Sequence, residues 1–210
     1  MLGLALSEQQ RIRFSIDSGF VNIDVPKHEK DRYFVEADEL WTRWKRPEQG
    51  LAVPLGEDRM GNVATLNFSH SNSPHLLIGG TTGSGKSEAL MPLLRGLTQH
   101  YDSKELRLLL VDPKGTELRP FEDDSHLEGT IGWEEQDALK LLKRAVDEMQ
   151  DRYALFRKDA GKARSLAEYN KDLEEKKRIP WWVIVLDEYA DLTSDPDAKR
   201  EIESLLKRLA

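Results

Sequence analysis

The stretch Gly80-Thr81-Thr82-Gly83-Ser84-Gly85-Lys86-Ser87 decides the fold of this chain. It matches the pattern G-x-x-x-x-G-K-[ST] at every fixed position. Glycines let the backbone curl, so that several N–H groups point toward one cluster of negative oxygens. The lysine adds a point charge, and the serine hydroxyl can hold Mg²⁺. The pattern predicts a phosphate-binding loop, and the alternative is a glycine-rich turn without a ligand.

The sequence on either side of this loop has the order strand, loop, helix. Residues 75–79 contain the apolar run Leu76-Leu77-Ile78, which predicts a short buried strand. Residues 87–100 predict a helix, whose positive N-terminal end would face bound phosphates. This context favours the nucleotide-binding interpretation. The residues assigned to nucleotide binding are Gly80, Thr81, Thr82, Gly83, Ser84, Gly85, Lys86 and Ser87.

Composition limits the classes of protein to which the chain can belong. Its 210 residues suffice for one α/β domain with a small appendage. No run approaches the roughly 18 apolar residues of a membrane span. The absence of cysteine excludes disulfides and thiolate metal sites, and suits the cytoplasm that we expect. The net charge of −7 argues against nonspecific nucleic-acid binding by this chain alone. It does not exclude a local basic surface.

Residues 1–70 predict a β-rich leading segment. Period-two alternation and turn residues predict one hairpin over residues 11–25 and a second over 51–68. Between them, residues 37–45 predict a short helix that carries Trp41 and Trp44. We interpret these tryptophans as packing anchors rather than as a platform for stacking bases.

Residues 71–210 alternate strands with helices. The predicted strands are 75–79, 106–111 and 182–187, and the last two are apolar runs that suit parallel strands covered on both faces. The clearest helices are predicted over 134–158 and 198–210. The fold class is therefore α/β, a RecA-like phosphate-loop NTPase with a parallel sheet. The apolar stripe of the longest helix, which we predict to be core, comprises Leu139, Leu142, Val146, Met149, Tyr153 and Phe156.

An acidic pair, Asp187-Glu188, follows the last apolar strand and matches the Walker B pattern. In open α/β sheets, ligands bind at the carboxyl ends of the strands. We expect Asp187 to hold Mg²⁺ together with Ser87, and Glu188 to orient and deprotonate the attacking water. The catalytic residues would then be Glu188 and Lys86. The alternative is a buried strand that ends in two acids by accident.

The sequence does not assign a single role to three further residues near these motifs. Asp112 follows the strand 106–111, so it either lies near the nucleotide or a subunit boundary, or caps the turn before Pro113. Asp191 suits a surface or capping role better than catalysis. Pro92 lies inside the helix after the loop, where it could kink the backbone.

The extra strand between the two motif strands, with a glutamate beside the Walker B aspartate, is typical of the additional-strand ATPases.

Five groups of residues carry a resemblance to a known family. They are Pro74–Ser87, Asp112-Pro113-Lys114 with Glu117-Leu118, Asp147-Glu148-Met149 with Arg152-Tyr153, Tyr169-Asn170, and Leu186-Asp187-Glu188 with Ala190-Asp191-Leu192. Their order and spacing resemble the FtsK/SpoIIIE family of DNA translocases over nearly the whole chain. The resemblance implies a ring, usually hexameric, that uses ATP with Mg²⁺ to pump double-stranded DNA.

The chain also departs from that family pattern. It stops about 22 residues after Glu188, whereas the family continues with a sensor strand, a trans-acting arginine and the loops that grip DNA. We therefore expect a shortened motor whose core is incomplete at its C-terminus and whose isolated activity is weak. Two alternatives remain: an FtsK-like ATPase that drives protein secretion, and a non-catalytic nucleotide-binding interaction module.

Overall fold

The structure is a computed structural model, and it describes residues 12–17, 19–70, 74–81, 83–158 and 163–209. Arg11 of the first predicted hairpin, Thr82 of the loop and Ala210 of the last predicted helix lie outside the described residues. The chain forms two compact units, which divide in sequence between Glu36 and Ala37.

The first unit contains the first predicted hairpin. Its strands β1 (Arg13–Asp17) and β2 (Phe20–Asp24) pair antiparallel. The register sets Phe14 opposite Ile23 and Ile16 opposite Val21. Since these positions alternate along both strands, the four apolar residues share one face of the hairpin. The prediction of a hairpin is confirmed for the described residues.

The second unit begins with a helix and the second hairpin. Helix α1 (Ala37–Arg43) precedes the antiparallel strands β3 (Ala52–Glu57) and β4 (Val63–Asn67). Trp41 and Trp44 are buried in the same apolar cluster as the start of β3. Their predicted role as packing anchors is confirmed.

A parallel pair of strands forms the centre of the second unit. Strands β5 (Leu106–Val111) and β6 (Trp181–Leu186) run side by side, with Leu106 opposite Trp181 and Val111 opposite Leu186. One apolar cluster covers the face that carries Leu108, and another covers the face that carries Val111. Two-sided burial explains why the residues of both strands are apolar except Arg107.

Five further α-helices belong to the described part of the second unit. They are α2 (Lys86–His100), α3 (Glu135–Lys158), α4 (Leu166–Lys171), α5 (Tyr189–Leu192) and α6 (Pro196–Leu209). Helix α2 continues through Pro92 to His100. Helix α3 packs against α6 through Leu142 and Val146, as its apolar stripe predicts. Tyr153 was placed wrongly in that stripe, because its side chain is 53% exposed.

The predicted strand over residues 75–79 is wrong, since these residues form no strand. A strand needs hydrogen-bond partners along its backbone, and no described strand pairs with this run. Leu77 is 91% exposed as a consequence. No helix within the described ranges has both the length and the apolar character that a membrane span needs.

Candidate active site

The phosphate loop has a backbone that only glycine adopts easily at two positions. Gly83 and Gly85 have φ angles of 77° and 92°, in the left-handed region. Between them, the Ser84 N–H donates a hydrogen bond to the Thr81 carbonyl over 3.0 Å. Gly85 caps α2 without a side chain, so Lys86 is the first helical residue. The left-handed angle at Gly85 therefore agrees with the glycine that the pattern requires there, and Gly83 is a second such position.

Gly80 is constrained by close approach rather than by its backbone angle. A Cβ atom added there would lie 2.1 Å from the Ser84 Oγ atom. This contact is far shorter than van der Waals distance, so a side chain at position 80 would force the Ser84 hydroxyl to rotate away. The first glycine of the pattern thus lets the loop fold back on itself.

Lys86 brings the two halves of the predicted site together. Its Nζ atom donates hydrogen bonds to Asp187 Oδ1 over 2.5 Å and to Glu188 Oε1 over 3.0 Å. The hydrogen bond that Lys86 donates to Asp187, together with the one to Glu188, raises the pKa of the Lys86 ammonium above its ordinary value. Ser87 follows in the first turn of α2 and is half-buried. A lysine about one hundred residues upstream therefore bridges both members of the acidic pair.

Asp187 and Glu188 differ in their surroundings although they are neighbours. The Asp187 side chain is buried, and its Oδ2 atom has no hydrogen-bond partner among the described residues. Glu188 has φ 46° and is the one non-glycine residue with positive φ in the described ranges. Such conformations cost about 1–3 kcal/mol and persist where the surroundings impose them, often at functional sites. The turn after β6 thus leaves the Asp187 carboxylate buried and the adjacent Glu188 carboxylate partly exposed.

Lys114 is a second cation at this site, which the sequence analysis did not assign. Its Nζ atom lies 3.2 Å from Glu188 Oε1 and 3.9 Å from Asp191 Oδ2. Lys86 and then Lys114 lower the pKa of the Glu188 carboxyl below its ordinary value. The place of Lys114 in the sequence could have indicated this contact. Lys114 follows β5, and β5 pairs in parallel with the strand that ends before Asp187.

Asp112 caps the turn after β5, so the capping interpretation is confirmed. Its Oδ1 atom accepts the N–H groups of Lys114 and Gly115, and its Oδ2 atom those of Glu117 and Leu118. The side chain is fully buried. A carboxylate that accepts four backbone N–H groups fixes the path of the loop that carries Lys114.

Replacing Asp112 by alanine should lower the free energy of unfolding by at least about 3 kcal/mol. The reason is that several backbone donors lose an ionised acceptor, and each unsatisfied group costs about 1–3 kcal/mol. Denaturant unfolding measures this loss. Exposed Asp123 supplies the control, since its replacement by alanine should change stability by no more than about 0.5 kcal/mol. Equal stability of the two variants would contradict the capping role.

Comparison with known proteins places most of the chain within one family pattern. Residues 37–210 match the model of the FtsK/SpoIIIE family. The chain is 35% identical over 217 aligned positions to the DNA translocase FtsK of Streptococcus pyogenes serotype M3, covering 99% of the chain. It is 33% identical over 195 positions to the protein of the same name from Borreliella burgdorferi, covering 90%. The chain spans about a quarter of the length of these relatives, 26% and 24% respectively.

Two solved structures share the fold. The conjugation coupling protein TcpA of pCW3, a monomer form with ATPγS, superposes with a TM-score of 0.64 at 25% identity, covering 95% of this chain and 53% of that one. The cytoplasmic domain of the type VII secretion ATPase EccC from Thermomonospora curvata superposes with a TM-score of 0.59 at 32% identity. This match covers 82% of this chain and 21% of that one. These similarities and the parallel sheet identify an α/β phosphate-loop fold.

Proposed function

Because this chain belongs to the FtsK/SpoIIIE family, we propose that residues 71–210 are the ATP-binding and hydrolysing core of a ring-forming double-stranded DNA translocase. Residues 1–70 are then part of the segment that leads into this core. The observation that carries the proposal is the contact of Lys86 with both Asp187 and Glu188. It joins a phosphate-binding loop to the acidic pair that hydrolysis requires.

The residues of the loop fit a nucleoside triphosphate. The first N–H groups of α2, from Lys86 onward, would face phosphate oxygens, and Lys86 would add its charge. Ser87 and Asp187 would hold Mg²⁺. The buried Oδ2 atom of Asp187, which has no partner among the described residues, supports this assignment because a cation or its bound water would satisfy it. When bound, Mg-ATP supplies the γ-phosphoryl group and the cation that neutralises its charge.

Glu188 is the proposed base. Its carboxylate is partly exposed and close to Lys86 at the carboxyl edge of the sheet. It would accept a proton from water and orient that water toward the phosphate. Lys86 must first exchange its two carboxylate partners for phosphate oxygens. Hydrolysis then depends on positioning and on charge stabilisation rather than on covalent chemistry.

The proposed partners of the complete protein follow from its relatives. Those described above are named DNA translocases, and TcpA was solved with an ATP analogue. We propose double-stranded DNA as the substrate that is moved, a hexameric ring as the working assembly and the cytoplasm as its location.

Nucleotide binding by the chain tests the proposed site directly. Replacing Lys86 by alanine should weaken binding of a fluorescent ATP analogue in Mg²⁺ by about 100-fold or more. Hydrogen bonds to charged groups contribute about 1.5–3 kcal/mol each, and 1.4 kcal/mol corresponds to tenfold in affinity. Exposed Lys140 on α3, replaced by alanine, is the matched control and should change affinity less than about twofold. Equal affinity of both variants would refute the site.

A second candidate function, protein secretion, is favoured by the 32% identity to the type VII secretion ATPase EccC. Both candidates need the same nucleotide site, so they differ only in what stimulates it. The complete protein should hydrolyse ATP faster with duplex DNA than without it. Stimulation by a peptide and not by duplex DNA would instead support the secretion function.

A further inference from the structure

Glu188 is shared between two cations that come from different parts of the sheet edge. Lys86 reaches its Oε1 atom from the start of α2 over 3.0 Å, and Lys114 reaches the same atom from the loop after β5 over 3.2 Å. Lys86 also holds Asp187, at the shorter distance of 2.5 Å. The proposed nucleotide site therefore contains one carboxylate with two competing partners.

The two lysines differ in what a bound nucleotide would do to them. Lys86 belongs to the phosphate loop, so phosphate oxygens would take it from the carboxylates. Lys114 lies outside that loop, and its backbone is held by Asp112, whose carboxylate also accepts the N–H of the next residue. When Lys86 turns to phosphate, Lys114 is the ammonium group that stays beside Glu188.

We propose that Lys114 is a positioning residue that holds the Glu188 carboxylate at the sheet edge when Lys86 leaves it for the phosphates. This inference rests on the proposed function of Glu188 as the base. A glutamate side chain has several rotamers, and Glu188 is partly exposed. A fixed cation on the neighbouring loop reduces that freedom, and misplacement by about 1 Å can cost 10²-fold in rate.

The buried cap fixes the backbone from which the Lys114 side chain extends toward Glu188. Asp112 fixes the turn directly after β5, and β5 is paired in parallel with β6, which ends one residue before Asp187. The two loops therefore leave adjacent strands at the same edge. Asp191, which belongs to α5, lies 3.9 Å from the Lys114 ammonium through its Oδ2 atom.

Lys114→Met tests the proposal, because methionine keeps most of the length of the side chain and removes its charge. Single-turnover hydrolysis of labelled ATP, with the chain in excess, should slow about tenfold. Affinity for a fluorescent ATP analogue should change less than about threefold, since Lys114 acts on Glu188 and not on phosphate. Lys114→Arg should recover at least half of the lost rate, because it restores a cation beside Glu188.

A matched control separates this role from a general effect of charge. Lys143 on α3 has a similarly exposed side chain, 54% against 52%, and pairs with Glu201 over 2.7 Å. Lys143→Met should leave the rate within about twofold of the original. If Lys114→Met gives the same rate as Lys143→Met, or if it weakens nucleotide affinity as much as it slows hydrolysis, the positioning role is overturned.

The double variant shows whether Lys114 acts through Glu188. In a Glu188→Gln background, Lys114→Met should cause no further loss of rate, because the group that it positions is already absent. A full additional tenfold loss would overturn the proposal. If Glu188→Gln alone hydrolyses at the original rate, the proposed base fails and the role of Lys114 fails with it. If only Lys114→Met lacks an effect, the proposed function stands without it.

Discussion

Glu188→Gln is expected to reduce hydrolysis of ATP by about 10²–10⁴-fold, the range in which general base catalysis contributes to rates. Glutamine keeps the shape of the side chain but cannot accept a proton from water. The positive φ of Glu188 is not a reason for failure to fold, since glutamine meets the same backbone cost. Steady-state and single-turnover assays both measure the loss.

The same variant should bind nucleotide as tightly as the original chain or more tightly. In the structure, Lys86 is held by both Asp187 and Glu188, so a phosphate must compete with two carboxylates for it. Glu188→Gln removes one of those charges and makes Lys86 easier to recruit. Binding of a fluorescent ATP analogue measures this effect, and a tenfold loss of affinity would contradict it.

Exposed Glu174 provides the control for this experiment. It pairs with Lys177 at the surface, and Glu174→Gln should leave both turnover and affinity unchanged within about twofold. Turnover by the original chain that Glu188→Gln abolishes would argue against a non-catalytic interaction module. Unchanged turnover in Glu188→Gln would refute its role as the base.

Gly96→Ala is expected to destabilise the protein by at least about 3 kcal/mol, although alanine normally stabilises a helix by about 1 kcal/mol relative to glycine. A Cβ atom at this position of α2 would lie 2.0 Å from Trp41 Cε2 and 2.2 Å from Cζ2. Trp41 is buried and packs against His100 and Trp44, with ring centroids 4.7 Å and 5.2 Å away. The indole therefore cannot move aside without disturbing the core.

Chemical denaturation of Gly96→Ala measures this loss, which is a large fraction of the 5–15 kcal/mol that stabilises a typical domain. Gln99→Ala, at an exposed position of the same helix, should lie within about 0.5 kcal/mol of the original. In a Trp41→Leu background, Gly96→Ala should cost clearly less, because the clashing ring is gone. An equal cost in both backgrounds would show that Trp41 is not the cause.

The local elements follow from short-range patterns. Period-two alternation places both hairpins, and continuous apolar runs place β5 and β6 within one residue of their observed bounds. Helix α3 begins one residue after its predicted start and ends at Lys158 as predicted. These features depend on neighbours in sequence, so periodicity and turn residues suffice to find them.

The failures have a common physical origin in distant contacts. Residues 75–79 have the composition of a strand, but they form one only if another strand supplies hydrogen bonds, and no described strand does so. Tyr153 follows the apolar period of α3, yet it is half exposed, because the apolar cluster that buries the stripe extends along the helix only to Met149. Neither outcome can be read from a window of neighbouring residues.

The sequence by itself determined the phosphate loop, its helix and the acidic pair, because glycine conformations, a lysine and two carboxylates carry their chemistry wherever they occur. Only the tertiary structure decided which charges meet. Parallel pairing of β5 with β6 brings Lys114 to Glu188, and the start of α2 brings Lys86 to both carboxylates. From the sequence, Asp112 could either lie near the nucleotide or cap its own loop. The structure shows the capping role, because the buried carboxylate accepts four backbone N–H groups. Charge pairing between residues distant in sequence depends on distance in space, which is set only when the strands and helices pack.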